Sequence, residues 1–191
     1  MTMAIQDRPP QAATKLPLGS DSGAGAEASQ FLTFMLAGEP FAIGILAIRE
    51  IIEYHGLTPV PRMPACVRGV INLRGAVVPV IDLQARLGQA PGQITRRSCI
   101  VIVEIAAGDG RQVVGVVVDA VNEVLDIAPA DIEPAPSFGA RIRTDFIAGM
   151  GKVRGRFVIV LDVERVLTLD DLLSAGPADG TDELPADKPK H

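Results

Sequence analysis

Residues 67–87 recur without a gap as residues 147–167, eighty positions downstream, and no other feature constrains the fold as strongly. Gly69 aligns with Gly149, Leu73 with Val153, Arg74 with Arg154, Gly75 with Gly155, Val78 with Val158, Val80 with Val160, Asp82 with Asp162 and Leu87 with Leu167. Upstream the echo is looser: Ile43-Gly44-Ile45 matches Val114-Gly115-Val116, Glu50-Ile51-Ile52 matches Glu123-Val124-Leu125, and Pro59-Val60-Pro61 matches Pro134-Ala135-Pro136. After that last motif the second copy carries five extra residues before its glycine. One small β-module is therefore used twice. Two copies are too few for a solenoid, so the expected arrangement is a closed pair sharing one interface.

The 191 residues suffice for one compact domain or two small lobes, and an apolar fraction of 48% supplies a core. With one Tyr, six Phe and no Trp, that core is aliphatic and suits β-branched strands rather than a base- or sugar-stacking surface. The formal charge is −5 and no basic run exceeds two residues, which argues against nucleic acid as a partner. The longest apolar runs, 113–118 and 157–161, fall far short of the roughly 20 residues that span a bilayer. The N-terminus shows no basic segment followed by an apolar one, so a cytoplasmic protein with no membrane insertion is expected.

Residues 1–29 and 174–191 are rich in small, polar and Pro residues without an apolar period and read as disordered tails. Between them, residues 31–36 and 41–45 form a hairpin about a turn at Gly38-Glu39, and residues 99–105 and 112–118 repeat it about residues 108–110. The runs 77–81, 113–118 and 157–161 are continuously apolar rather than alternating, so each strand should be covered on both faces. Pro79, lacking an amide hydrogen, should lie at an edge or a bulge. Asp82 and Asp162 each precede an i, i+4 apolar pair, Leu83 with Leu87 and Val163 with Leu167, and read as helix N-caps. Standing in separate lobes, they do not form an acid–base pair.

Where both copies keep a residue, folding alone is reason enough; where they differ, one copy is free for a task. Gly69, Gly75, Gly149 and Gly155 are thus assigned to backbone geometry. Arg74 and Arg154 either brace their own lobes or bind a partner. Asn72 differs from its counterpart Lys152, which favours a lobe-specific contact. In the strand Asn72-Leu73-Arg74 the polar side chains share one face while Leu73 points inward. Alternation likewise puts Ile48 and Glu50 on one face of their strand and Arg49 and Ile51 on the other. Taken alone, a half-exposed isoleucine there is ordinary.

Cys66 and Cys99 lie among apolar neighbours and read as buried free thiols, and His55 with His191 cannot complete a zinc set, so no metal and no cofactor are expected. No nucleophile with a base, carboxylate cluster or phosphate loop is present, so no catalytic residue is assigned and an enzyme is not expected.

The block Gly69-Val70-Ile71-Asn72-Leu73-Arg74-Gly75, continued by Val77-Val78-Pro79-Val80-Ile81-Asp82-Leu83 and accompanied by Glu50-Ile51, resembles the CheW family of chemotaxis coupling proteins. Residues 113–119, Val124-Leu125, Pro134-Ala135-Pro136 and residues 146–151 extend the resemblance over about 30–173. It implies an all-β fold with short helices, two SH3-like five-stranded barrels packed through a hydrophobic seam, with scope for the first and last elements to cross between lobes. The expected division is a first barrel at about 37–94, a second at about 95–160 and a C-terminal helix at 162–173. The implied role is a chemotaxis adaptor linking the cytoplasmic tips of chemoreceptors to the regulatory domain of the histidine kinase CheA, recruited from the cytoplasm to receptor arrays. A coupler of the same fold in twitching, gliding or biofilm control is the alternative. Position by position, the resemblance places Ile45, Ile48, Glu50 and Ile51 at partner contacts and marks Gly69, Asn72 and Arg74 as sensitive, which overrides the ordinary reading of Ile48 and Glu50.

Overall fold

A computed structural model describes residues 28–136 and 142–168. The expected tails lie outside these residues, except that Ala28 is described and Ser29 already opens the first strand; of the helix expected at 162–173, residues 162–168 are described, and there it is a single turn, Val163–Val166, ended by its C-cap Leu167. In chain order, β1 (Ser29–Leu36) and β2 (Glu39–Gly44) form a hairpin, a 3-10 turn (Ile45–Ala47) leads into β3 (Ile48–Glu53), and β4 (Val67–Leu73) turns into β5 (Ala76–Asp82) and the single-turn helix α1 (Leu83–Arg86). The second copy gives the hairpin β6 (Cys99–Ala107) and β7 (Gly110–Val118), then β8 (Ala120–Ile127), the short β9 (Ile132–Glu133), β10 (Ile147–Val153), β11 (Arg156–Leu161) and α2 (Val163–Val166).

The strands make two sheets, ordered β3-β6-β7-β5-β4 and β8-β1-β2-β11-β10-β9. The leading hairpin of each copy is thus built into the other copy's lobe, which corrects the contiguous division near residue 94. Parallel pairings seal the exchange: β5 runs beside β7 through Val80 and Gly115, and β11 beside β2 through Val160 and Ala42. The 3-10 turn Ile45–Ala47 carries the chain from one sheet to the other. A lobe of about 60 residues buries too little surface to be stable with ease. Exchange lets both lobes share one large core.

The second sheet has six strands because β9 pairs with β10 through Glu133 and Met150. The first lobe makes the same contact as an isolated bridge between Thr58 and Val70. Thr58 stands just before Pro59-Val60-Pro61 as Glu133 stands before Pro134-Ala135-Pro136. The extra strand is therefore a longer version of a shared feature. Register is shared as well: Val67 faces Ile81 and Gly69 faces Val80 across a bulge, as Ile147 faces Leu161 and Gly149 faces Val160.

The central cluster draws Phe34, Leu36, Phe41 and Ile43 from one sheet, Val101, Val103, Val114 and Val116 from the other, and Leu83, Leu87, Val166 and Leu167 from the helical turns. A second cluster (Ile71, Val78, Val80, Ile100, Ile102, Val117) fills the first lobe, and its counterpart (Ala42, Val158, Val160) fills the second. β7 accordingly has Val114, Val116 and Val118 in the seam and Val117 in its own lobe, the double coverage expected of a continuous apolar strand. The coverage stops short of the hairpin tips, where Val77 is 71% and Phe157 50% exposed.

Pro79 lies on β5, a central strand, rather than at an edge. Val70, its partner on β4, exchanges both backbone hydrogen bonds with Thr58, so the Pro79 nitrogen points away from β4. On that side pairing with β7 begins only at Val80, and no ladder bond is lost.

Asp82 and Asp162 are the expected caps, accepting from the amides of Ala85 and Arg165, each at 3.1 Å. Asp82 is buried and also accepts from Gly92 N (3.0 Å) and Arg68 Nε (2.8 Å). The two helical turns meet across the seam. Arg86 Nε donates to the carbonyl of Val166 at 2.6 Å, and these residues hold equivalent positions in the two copies. Contact between equivalent residues places the pseudo-twofold axis between them. The Arg86 guanidinium also lies 4.9 Å from the Phe146 ring centroid, with Arg143 at 4.8 Å.

Candidate functional site

Of the expected site residues, Glu50 and Arg74 are brought into direct contact. Arg74 Nη2 donates to Glu50 Oε2 at 3.0 Å. Two local devices, a bulge and a turn, create the pair.

The bulge is in β3. Ile48 faces Val103 on β6 but Glu50 faces Ile102, so one extra residue is accommodated at Arg49. Directly opposed residues share a sheet face. Ile48, opposite Val103, and Ile51, opposite Val101, therefore look toward the seam, whereas Glu50, opposite Ile102, looks toward the first lobe's own side. This corrects the simple alternation, which grouped Ile48 with Glu50. A strand without the bulge would bury the Glu50 carboxylate against the seam.

The turn joins β4 to β5. Leu73 pairs with Ala76, which leaves Arg74 and Gly75 as a two-residue loop with φ of 52° and 89°. Arg74 is thus a turn residue, not the strand residue the sequence suggested. Positive φ at both central positions defines the type I′ turn that matches strand twist. Gly75 takes this conformation freely, but an arginine there costs about 1 kcal/mol or more. Asn72 accepts a hydrogen bond from Gly75 N at 2.8 Å and closes the turn from below.

Gly69 is buried at the β4 bulge, and a Cβ there would stand 2.4 Å from the Thr58 carbonyl oxygen. It touches no open surface; its role is to let the Thr58 backbone reach Val70. Ile45 and Ile48 are partly buried against the central cluster. Ile51 is 42% exposed at the edge of the same seam. Between them lies Leu46, not singled out from the sequence, which at 97% is the most exposed large apolar side chain among the described residues. It sits in the 3-10 turn, whose period matches neither strand nor α-helix; the apolar run Ile45-Leu46-Ala47-Ile48 was the only signal available.

An open groove lined by Arg49, Glu50, Leu73, Arg74, Val78 and Val113 surrounds the pair. Its charges are chained: Arg49 pairs with Glu104 and Arg111 also reaches Glu104, both at 3.2 Å.

The second lobe repeats the constellation. Leu32 faces Val124 but Phe34 faces Val121, so β8 carries a bulge beside Glu123. The Thr33 hydroxyl fills it, donating to Glu123 O (2.7 Å) and accepting from Glu123 N (3.3 Å). Arg154 and Gly155 form the same positive-φ turn, and Arg154 reaches Glu123 at 3.5 Å. Here Lys152 stands where Asn72 caps the first turn.

Chemically, the arrangement sets apolar residues at a seam edge beside solvent-facing ion pairs. Among the described residues no group of three or more His, Cys, Asp or Glu side chains is placed to hold a metal ion. None of the described helices is long and apolar enough to cross a membrane.

Residues 30–171 match the family model described as a CheW-like domain. The chain is 34% identical over 143 residues to the chemotaxis protein CheW of Klebsiella aerogenes, covering 75% of this chain and 84% of that one. It is likewise 34% identical over 142 residues to the chemotaxis protein CheW of Rhizobium meliloti, covering 74% and 89%. Among solved structures it is similar to the scaffolding protein TtCheW from Thermoanaerobacter tengcongensis, with a TM-score of 0.66 and 34% identity over 73% of this chain and 87% of that one.

Proposed function

This chain belongs to the CheW family of chemotaxis adaptors, and from that premise we propose that it couples the cytoplasmic tips of chemoreceptors to the regulatory domain of the histidine kinase CheA. It works in the cytoplasm, at membrane-associated receptor arrays, and contributes binding surfaces rather than a reaction.

The observation that carries this reading is the arginine at a left-handed turn position in both lobes. Bracing does not account for it. An exposed ion pair contributes about 0.2–1 kcal/mol, and the Arg74 side chain is 80% exposed, so the pair at best offsets the turn's conformational cost. An arginine kept against local preference is better explained by what its guanidinium presents outward. The kinase then meets the Glu50–Arg74 face, while Leu46 and Ile51, with Ile45 and Ile48 beneath, give the apolar edge against which a receptor's helical hairpin packs.

Co-sedimentation tests the assignment. The protein should pellet with receptor-bearing membranes and kinase; Arg74→Glu should lose kinase, and Leu46→Asp should lose receptor. A double variant that still recruits both partners normally would sink it.

A further inference from the structure

We propose that Asn72 is a positioning residue: its carboxamide presets the Arg74 turn, so that the first lobe alone offers its arginine in a fixed pose. This rests on the coupling role proposed above and assigns Asn72 no contact of its own.

The carboxamide oxygen of Asn72 accepts from Gly75 N at 2.8 Å, closing a ring around the residue that must hold φ at 52°. Asparagine side chains stabilise such turns by mimicking a backbone acceptor. The repeat supplies an internal comparison: Arg154 and Gly155 reach nearly the same φ, 49° and 77°, so the carboxamide steadies the turn rather than creating it. In the second lobe Lys152 offers no acceptor, and the ion pair loosens from 3.0 Å to 3.5 Å. The second carboxylate is also more open, with Glu123 52% exposed against 25% for Glu50. A guanidinium already held in its bound pose loses less freedom when a partner arrives. The first lobe is therefore the preorganised one, and the second presents Arg154 beside a further cation, Lys152.

Amide exchange and titration with the kinase regulatory domain test this on the full chain with Asn72→Ala, Asn72→Lys and Asn72→Asp, the last of which keeps the acceptor. Expected are roughly tenfold faster Gly75 amide exchange and about five- to tenfold weaker binding for the Ala and Lys variants, with both restored by Asp. The melting temperature should change little, since the turn is exposed. Conversely, Lys152→Asn should slow exchange of Gly155. Unchanged Gly75 exchange in Asn72→Ala would overturn the turn-setting role. Weak binding by Asn72→Asp despite a protected Gly75 amide would overturn positioning in favour of direct contact. If the unaltered protein failed to bind the kinase domain, the coupling reading itself would fall, while the Gly75 and Gly155 amides would still decide whether Asn72 sets the turn.

Discussion

Glu50 Oε2 and Arg74 Nη2 lie 3.0 Å apart, although the two residues are twenty-four positions apart in sequence, Glu50 on the edge strand β3 and Arg74 in the turn that leaves the opposite edge strand, β4. The bulge at Arg49 and the type I′ turn aim them at each other, and the same pairing recurs between Glu123 and Arg154.

Because the Arg74 side chain is 80% exposed, reversing its charge should hurt binding far more than folding. Arg74→Glu is expected to change unfolding free energy by less than about 1 kcal/mol in urea titration, yet to abolish kinase stimulation. A combined Glu50→Arg and Arg74→Glu variant should restore the pair without restoring kinase contact. Recovery of full stimulation in that variant would mean the pair serves only the fold.

Two glycines separate packing from turn geometry. Gly69→Ala forces a Cβ to 2.4 Å from the Thr58 carbonyl oxygen, backbone that cannot swing aside, and should cost about 2–4 kcal/mol. Gly75→Ala meets open space and should cost only about 1 kcal/mol through its φ of 89°. Chemical denaturation of the two variants should reproduce that order.

The exchange of hairpins predicts that neither lobe melts alone. Calorimetry should give a single transition, and Leu167→Ala, in the seam, should cost about 2–5 kcal/mol. Amide protection in β4 and in β10 should fall together in that variant. Loss confined to β10 would mean the lobes are independent.

Burial pushes the Cys66 thiol above its ordinary value, partly countered by the nearby Arg86. With the folded value raised, the unfolded chain ionises first as pH climbs. The stabilisation is thus complete below the ordinary thiol range and is lost as pH rises from there through the folded value. Between neutral and alkaline pH the unaltered protein should lose more unfolding free energy than Cys66→Ala. Parallel pH profiles would show that the thiol titrates alike in both states.

The repeat announced two lobes, and its shared glycines and aspartates became, as read, a turn, a close approach and two helix caps. Glu50, Asn72 and Arg74 were singled out through the family resemblance, not by their own pattern along the chain. Their geometry was not legible, because one extra residue at Arg49 reverses which face follows it, and no periodicity in Ile48-Arg49-Glu50-Ile51 records that. Pro79 misled for a related reason: its missing amide hydrogen matters only where a neighbouring strand would accept it, and β7 pairs one residue later.

Local chemistry written along the chain, apolar runs, turn glycines and capping carboxylates, determined which elements form and that they form twice. Which strands join which sheet was decided only in three dimensions. A hairpin satisfies its own hydrogen bonds in either lobe, so its sequence is indifferent to the choice. The apolar seam, completed only when each copy lends its first hairpin to the other, selects the outcome.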